Sequence, residues 1–319
     1  MTFIATLISN PAAPALDADI IERARNALPS PQAPIWLDPG VAADIPFTAN
    51  QNQTQQDPTQ AKGSRALAER VRAALAGAPV DVLLQRASGR RKRLFLADMD
   101  STMIGQECID ELADHVGLKQ HVAAITERAM RGEIEFAPAL RERVAVLKGL
   151  SASVVDEVIA ERIRLTPGAR TLVATLRRNG AYTCLVTGGF TLFTARIAAL
   201  IGFDENRANT LILDADGRLT GKVAEPIFGR EGKLATLIEL GRRLGIAPEA
   251  TLVAGDGAND IAMIEAAGLG IAYHAKPKVA QAAAARIDHG DLTALLYAQG
   301  YRRDEFVEPD AGRQRTENR

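Results

Sequence analysis

What the chain lacks narrows its class. Cysteine is scarce: Cys108 and Cys184 are the only two in 319 residues, with no CxxC pairing. A disulfide scaffold is excluded, a structural zinc site has no ligand set, and reduced thiols fit best. The four histidines, His115, His121, His274 and His289, have no metal-ligand spacing. Net charge is almost absent, since 38 Lys and Arg face 39 Asp and Glu. That balance removes any whole-chain attraction for nucleic acid or an anionic membrane. No apolar stretch approaches the roughly 18 residues of a membrane span. The first basic residue is Arg23, so the charged start of a secretory signal is missing as well. These absences point to the cytoplasm, without a nucleic-acid or membrane partner. No glycine-rich loop ends in Gly-Lys-Ser/Thr, which sets aside a P-loop nucleotide enzyme.

What is present reads as globular. Apolar residues make up 47% and charged residues 24%, ordinary proportions for a chain with a sizeable core. The length suits two domains. Residues 1–88 read as strand, helix, two short strands, helix and strand, the order of a ferredoxin-like module. Its first helix, DADIIERARNAL, carries Ile20, Ile21, Ala24 and Leu28 on one face. The polar run NQNQTQQDPTQ (residues 50–60) reads as a solvated loop, and the second helix follows it. The basic run RASGRRKR (residues 86–93) is short and has no interleaved aromatics, so it reads as a solvated linker rather than a nucleic-acid patch.

From Leu94 on, the apolar runs RLFLA, AYTCLVT, TLVAG and LGIAY alternate with helical patterns. Continuous apolar runs suit strands buried on both faces of a parallel α/β sheet. Some 80 residues separate the first two runs, more than one crossover needs. Residues 104–165 read as several helices forming an inserted cap. The last of them is expected to open with a Ser153/Asp156 capping box. TLILDADGRLTGKVA reads as a hairpin turning at Asp216-Gly217. The polar end of the chain, residues 304–319, is expected to be a flexible tail.

Polar clusters sit where the predicted strands end: DMDST (98–102), TGGF (187–190) and GDGAND (255–260). Ligands of open α/β sheets bind outside the carboxyl ends of the strands, so the three clusters should face one crevice. A fourth element, Lys233 in REGKLATL, opens a helix. Asp98, Asp100, Asp256 and Asp260 would crowd like charges unless a cation neutralises them. An all-oxygen set favours a hard cation, with Mg2+ the natural choice. Lys233, the Thr187 hydroxyl and the Gly188 and Gly189 amides are phosphate-binding groups.

LADMDSTMIGQECIDELADHVG, VTGGF, REGKLATL and VAGDGANDIAMI together resemble the four motifs of the haloacid-dehalogenase-like (HAD) phosphatases. The resemblance covers roughly residues 92–300, and is nearest to members that act on phosphoserine. It implies an α/β fold. A Rossmann-like parallel-sheet core (89–303) would carry the cap and follow a small ACT-like module. It implies Mg2+-dependent hydrolysis of O-phospho-L-serine, the last step of serine biosynthesis, through an aspartyl-phosphate. On the matching positions Asp98 would be the nucleophile and Asp100 the general acid and base. Asp98, Asp256 and the main-chain carbonyl of Asp100 would hold the metal. Thr187, Gly188, Lys233 and Asn259 would bind the phosphoryl group, with Asp260 supporting the metal shell or Lys233. Glu107 would take the substrate ammonium and Arg143 its carboxylate. Phe136 would shield the closed site. Thr187 stands where many relatives carry Ser, and either hydroxyl donates. Another small phosphomonoester, or phosphoryl transfer to an alcohol, is the alternative within the same chemistry. A non-catalytic amino-acid sensor is the alternative outside it. The partner is a small-molecule phosphomonoester, and a homodimer is left open.

Overall fold

The computed structural model describes residues 2–48, 61–130 and 133–309. The polar run at 50–60 and residues 310–319 lie outside the described residues.

Four strands form an antiparallel sheet at the N-terminal end: β1 (Thr2–Ser9), β2 (Ile35–Asp38), β3 (Ala42–Thr48) and β4 (Val80–Arg86), in the order β2-β3-β1-β4. Helices Ala18–Ala27 and Ala61–Ala74 provide the crossovers, which makes the ferredoxin-like pattern. Asp17 caps the first helix by accepting from the Ile20 N–H at 2.8 Å. Ile20, Ile21, Ala24 and Leu28 bury against Phe3, Leu7, Ile45 and Val82, so the face expected from the sequence is the packed one.

Six parallel strands build the larger sheet: β5 (Leu94–Ala97), β6 (Tyr182–Phe190), β7 (Glu205–Asn209), then, beyond the hairpin of β8 (Leu211–Leu213) and β9 (Leu219–Val223), β10 (Thr251–Gly255), β11 (Leu269–Tyr273) and β12 (Ala285–Ile287). Their order is β12-β11-β10-β5-β6-β7. Alternation along β5 explains the apolar run: Leu94 and Leu96 pack against Leu237 and Leu240 on one face, Phe95 and Ala97 with Leu172 and Leu176 on the other. Cys184 and Met99 are fully buried in this core. The β8–β9 turn falls at Gly217, where φ is +72°.

The segment between β5 and β6 is helical, with Cys108–His115, Lys119–Met130, Phe136–Val146 and Val154–Glu161 forming the cap. Its two connections run side by side: Ile104 bridges Leu165, and the Gly105 N–H donates to the Arg164 carbonyl at 3.1 Å. The cap also rests on the hairpin, where the Gly149 N–H donates to Leu219 O at 2.8 Å.

Three local expectations are corrected. The run 86–93 is solvated only in part: residues 86–89, 91 and 93 are exposed as expected, but its basic side chains are anchored on the rest of the molecule. Arg90 is half-buried and pairs with Asp44 at 2.5 Å, its guanidinium also reaching the carbonyls of Tyr297 and Ala298. Arg91 stacks on Tyr301 at 4.0 Å, and Lys92 donates to Glu249 O at 2.7 Å. A guanidinium drawn largely out of water needs a partner, and that partner lies 46 residues away, outside any local pattern. Second, Ser153 makes no cap hydrogen bond. Its φ and ψ are helical, its hydroxyl pairs with Ser151 Oγ at 2.9 Å, and the Asp156 carboxylate is taken by Arg196. Third, residues 304–309 dock. Phe306 packs on Tyr297 with ring centroids 4.9 Å apart, and the Val307 N–H donates to Thr175 Oγ1 at 2.9 Å.

Candidate active site

The site lies at the carboxyl ends of β5, β6 and β10, roofed by the cap. β5 stops at Ala97, and Asp98 follows with its N–H on the Ala254 carbonyl of β10 at 3.0 Å. The chain then makes a tight turn through residues 99–103, with Ser101 in left-handed conformation at φ +55°. That turn points Asp98 and Asp100 into one space. Asp98 Oδ1 accepts from the Met99 N–H at 2.7 Å and from Lys233 Nζ at 2.7 Å. Lys233 sits in the first turn of the helix Arg230–Leu244 and also reaches Asp260 Oδ1 at 2.7 Å. Neither Lys233 nor Asp260 has any exposed surface.

Charge in this space is tightly balanced. Burial alone would lower the Lys233 pKa, but the Asp260 and Asp98 carboxylates override it and hold the ammonium charged. Burial, then the Asp260 charge, push the Asp98 carboxyl up, against the pull of Lys233. Asp256 is pushed up to about 6 by burial and by Asp260 and Glu107. Carboxylate oxygens of Asp98, Asp256 and Asp260 all lie within 4.8 Å of one another. Three acids with one ammonium leave an uncompensated negative charge, and every donor is oxygen. That set fits a hard divalent cation.

Asp100 is half-buried, and its carboxyl is pushed up to about 7 by burial and then by the Glu107 charge. One of its oxygens faces the Cys108 N–H at 3.4 Å, and the other lies over Gly189, where a Cβ would meet it at 3.2 Å. A side chain at 189 would crowd that oxygen. Thr187 Oγ1 accepts from the Gly189 N–H at 2.9 Å, which leaves the hydroxyl's own proton to donate elsewhere. The Gly189 amide is thereby engaged inside its own loop rather than offered to a ligand.

The cap supplies three of the expected residues. Glu107 stands at the N-cap of helix Cys108–His115 and accepts from Ser101 Oγ at 2.8 Å. Arg143 is half-buried with its Nε donating to the Ala139 carbonyl at 3.4 Å, and burial lowers its pKa while the charges of Asp110, Glu107 and Asp100 pull it up. Phe136 lies across the gap on the core, where a Cβ on Gly188 would meet its ring at 3.0 Å and one on Gly229 at 3.2 Å. Asn259 leans over Gly257 at the rim. The structure joins Asp98, Lys233, Asp260 and Asp256 by short distances at the strand ends, with Asp100 over Gly189 and Phe136 over Gly188.

It also brings in residues the sequence left unassigned. Thr102 is fully buried and donates to Asp256 Oδ1 at 3.1 Å. Buried Asn209 donates to the carbonyls of Gly188 at 2.9 Å and Phe228 at 2.8 Å, and accepts from the Phe228 N–H at 2.7 Å. Thr102 and Ser101 stand inside DMDST and were within reach of the motif; nothing near Asn209 in sequence marks it. Cys108, beside Asp100, has its thiol pushed far up by burial and by that carboxylate, and so lacks thiolate character.

Comparison with known proteins follows the same lines. The family model described as haloacid dehalogenase-like hydrolase matches residues 95–265. A phosphoserine phosphatase from Polaromonas sp. is 48% identical over 209 residues, 64% of this chain and 88% of that protein. One from Streptomyces coelicolor is 44% identical over 238 residues, 75% of this chain but only 58% of its own length. Among solved structures, a HAD family hydrolase from Salmonella enterica serovar Typhi superposes with a TM-score of 0.78 at 28% identity, covering 93% of this chain and 98% of that one. A phosphoserine phosphatase caught as an analogue of its phospho-aspartyl intermediate gives 0.60 at 39% identity over 65% of this chain and 98% of that one. Among the described residues no helix is long and apolar enough to cross a membrane.

Proposed function

The chain belongs to the haloacid dehalogenase-like hydrolase family, and from that membership we propose that it hydrolyses O-phospho-L-serine to L-serine and phosphate. The observation that carries this reading is the buried contact of Lys233 with Asp98 and Asp260, set beneath a cap that presents Glu107 and Arg143. Phosphoserine has an anionic ester, an ammonium and a carboxylate, for which Lys233, Glu107 and Arg143 carry the complementary charges.

Asp98 is the nucleophile of this reading. Its Oδ1 is fixed by the Met99 N–H and Lys233, which leaves Oδ2 to attack. A bond forms from Oδ2 to phosphorus while the phosphorus–serine oxygen bond breaks, giving an aspartyl-phosphate. Asp100, with its carboxyl near 7, is suited to give a proton to the leaving serine oxygen and then to take one from water. That water attacks phosphorus and frees Asp98. Thr187 donates its hydroxyl proton to a phosphoryl oxygen, Gly188 lets the group come close, and Asn259 orients it from the rim. Lys233 offsets the charge that builds there. Asp98, Asp256 and the main-chain carbonyl of Asp100 would hold Mg2+, with Asp260 behind. Bound there, the cation would neutralise the transferring phosphoryl group.

Glu107 would receive the substrate ammonium and Arg143 its carboxylate, with Phe136 closing over them. A cytoplasmic setting goes with this reading. The test is a phosphate-release assay over small phosphorylated metabolites with and without Mg2+. Phosphoserine should be preferred, release should need the cation, and Asp98→Asn should abolish turnover while phosphate still binds. Turnover retained in Asp98→Asn would sink the covalent route.

A further inference from the structure

We propose that the N-terminal sheet layer positions the cation-binding loop, acting through Asp81 of β4 and His274 at the end of β11. The proposal rests on the reading of Asp256 as a ligand of the divalent cation. Asp81 is 2% exposed, and its carboxylate is spent on the other half of the molecule. It accepts from three consecutive main-chain N–H groups after β12: Asp288 at 2.7 Å, His289 at 3.2 Å and Gly290 at 2.8 Å. Successive amides turned to one point form an anion-binding nest. Here the anion is a side chain from the neighbouring layer, so the loop's shape depends on that layer being docked.

The loop in turn holds His274. The imidazole Nε2 lies 2.8 Å from the Gly290 carbonyl, so that nitrogen carries the proton and donates it. The His274 N–H donates to Ile287 O at 2.8 Å. His274 has φ +43°, a left-handed conformation that a residue with a Cβ keeps only where its surroundings fix it. Two residues on, the Lys276 N–H donates to the Asp256 carbonyl at 3.3 Å. A continuous series of hydrogen bonds and short chain segments thus runs from Asp81 through 288–290 and 274–276 to the main chain of Asp256. All of it lies along the rim formed by the carboxyl ends of β10, β11 and β12. Neither Asp81 nor His274 touches the crevice, so both are positioning residues. Outer partners that orient metal-binding groups set affinity as well as stability.

The test is calorimetric titration of the full chain with Mg2+ alone, on the wild type, Asp81→Asn, His274→Ala and the double variant. Asp256→Asn serves as the control that loses the ligand. Each single variant should weaken Mg2+ binding roughly threefold or more, and the double variant should be no weaker than the worse single, as a shared path requires. Hydrogen exchange at residues 274–276 should quicken in both. A purely structural role would lower the melting temperature and leave the Mg2+ dissociation constant unchanged; that result overturns the proposal. Should Asp81→Asn fail to fold, His274→Ala, at an exposed position, decides by the same readings. If the wild type takes up no Mg2+, the reading of Asp256 falls first and the proposal with it.

Discussion

Lys233 Nζ stands 2.7 Å from Asp98 with no exposed surface of its own, so the nucleophile's counter-charge is a buried one. Lys233→Met keeps most of the volume and removes the charge. Asp98 and Asp260 then face each other without an ammonium between them. Leaving one member of a buried pair unmatched costs about 3–5 kcal/mol. Urea denaturation without divalent cation should show a loss of that order. Saturating Mg2+ should restore part of it by taking over as counter-charge, while turnover stays lost. Unchanged stability in the metal-free variant would mean that the acids protonate at no cost.

Glu107 and Arg143 belong to the cap; Arg143 is the one suited to discriminate substrates apart from the phosphoryl chemistry, since the Glu107 charge also raises the Asp100 carboxyl. Arg143→Ala should lower kcat/KM for phosphoserine by about 2 kcal/mol or more, roughly thirtyfold, since a charge-assisted contact is lost. Hydrolysis of p-nitrophenyl phosphate, which has neither ammonium nor carboxylate, should change little. Glu107→Gln should also lower phosphoserine turnover, but it removes a charge that raises the Asp100 carboxyl, so p-nitrophenyl phosphate hydrolysis and its pH profile should shift as well. Equal losses on both substrates in Arg143→Ala would remove the substrate assignment and leave the general phosphatase chemistry standing.

Away from the site, Glu205 sets an acid limit on stability. Burial would raise its pKa, but hydrogen bonds from Arg243, Arg207 and Tyr182 override this and bring it from 4.5 down to about 2. The unfolded chain binds the extra proton first, so the stabilisation is complete above about 4.5 and is lost as pH falls toward 2. Wild type should exceed Glu205→Gln by about 1 kcal/mol at neutral pH. Denaturation midpoints of the two should converge across that acid window. A constant gap would place the effect outside the titration of Glu205.

The strand ends were legible because β5, β6, β10 and β11 are buried on both faces. Each reads as an apolar run, and β5, β6 and β10 break into Asp, Thr-Gly-Gly or Gly-Asp at the point where the chain meets the crevice. β7, with the sequence ENRAN, and β12, only three residues long, lie at the sheet edges and give no such run. Arg90 and Asp81 were invisible for another reason: their partners lie 46 and about 207 residues away, and local charge pattern cannot show a buried pair. The motif fixed which acids belong to the crevice. It left open whether Asp260 supports the metal shell or Lys233, and it did not show that Asn209 ties the Gly188 loop to the start of the Lys233 helix.

Phe136 rests on two glycines, and this makes closure of the cap sensitive to a single methyl group. Gly188 has ordinary negative-φ or extended backbone, so alanine there brings no backbone strain of the left-handed kind. Its Cβ would meet the Phe136 ring at 3.0 Å, and the ring is the part able to move, being 39% exposed at the end of a helix. Gly188→Ala should therefore push the cap outward rather than unfold the core, with kcat/KM for phosphoserine falling about tenfold and the melting temperature little changed. Phe136→Ala removes the same contact from the other side and should also weaken turnover. If closure is the shared cause, the double variant should be no worse than Phe136→Ala alone, because the added methyl then meets no ring. Losses that multiply in the double variant would show that Gly188 acts on the phosphoryl group itself, independently of the cap.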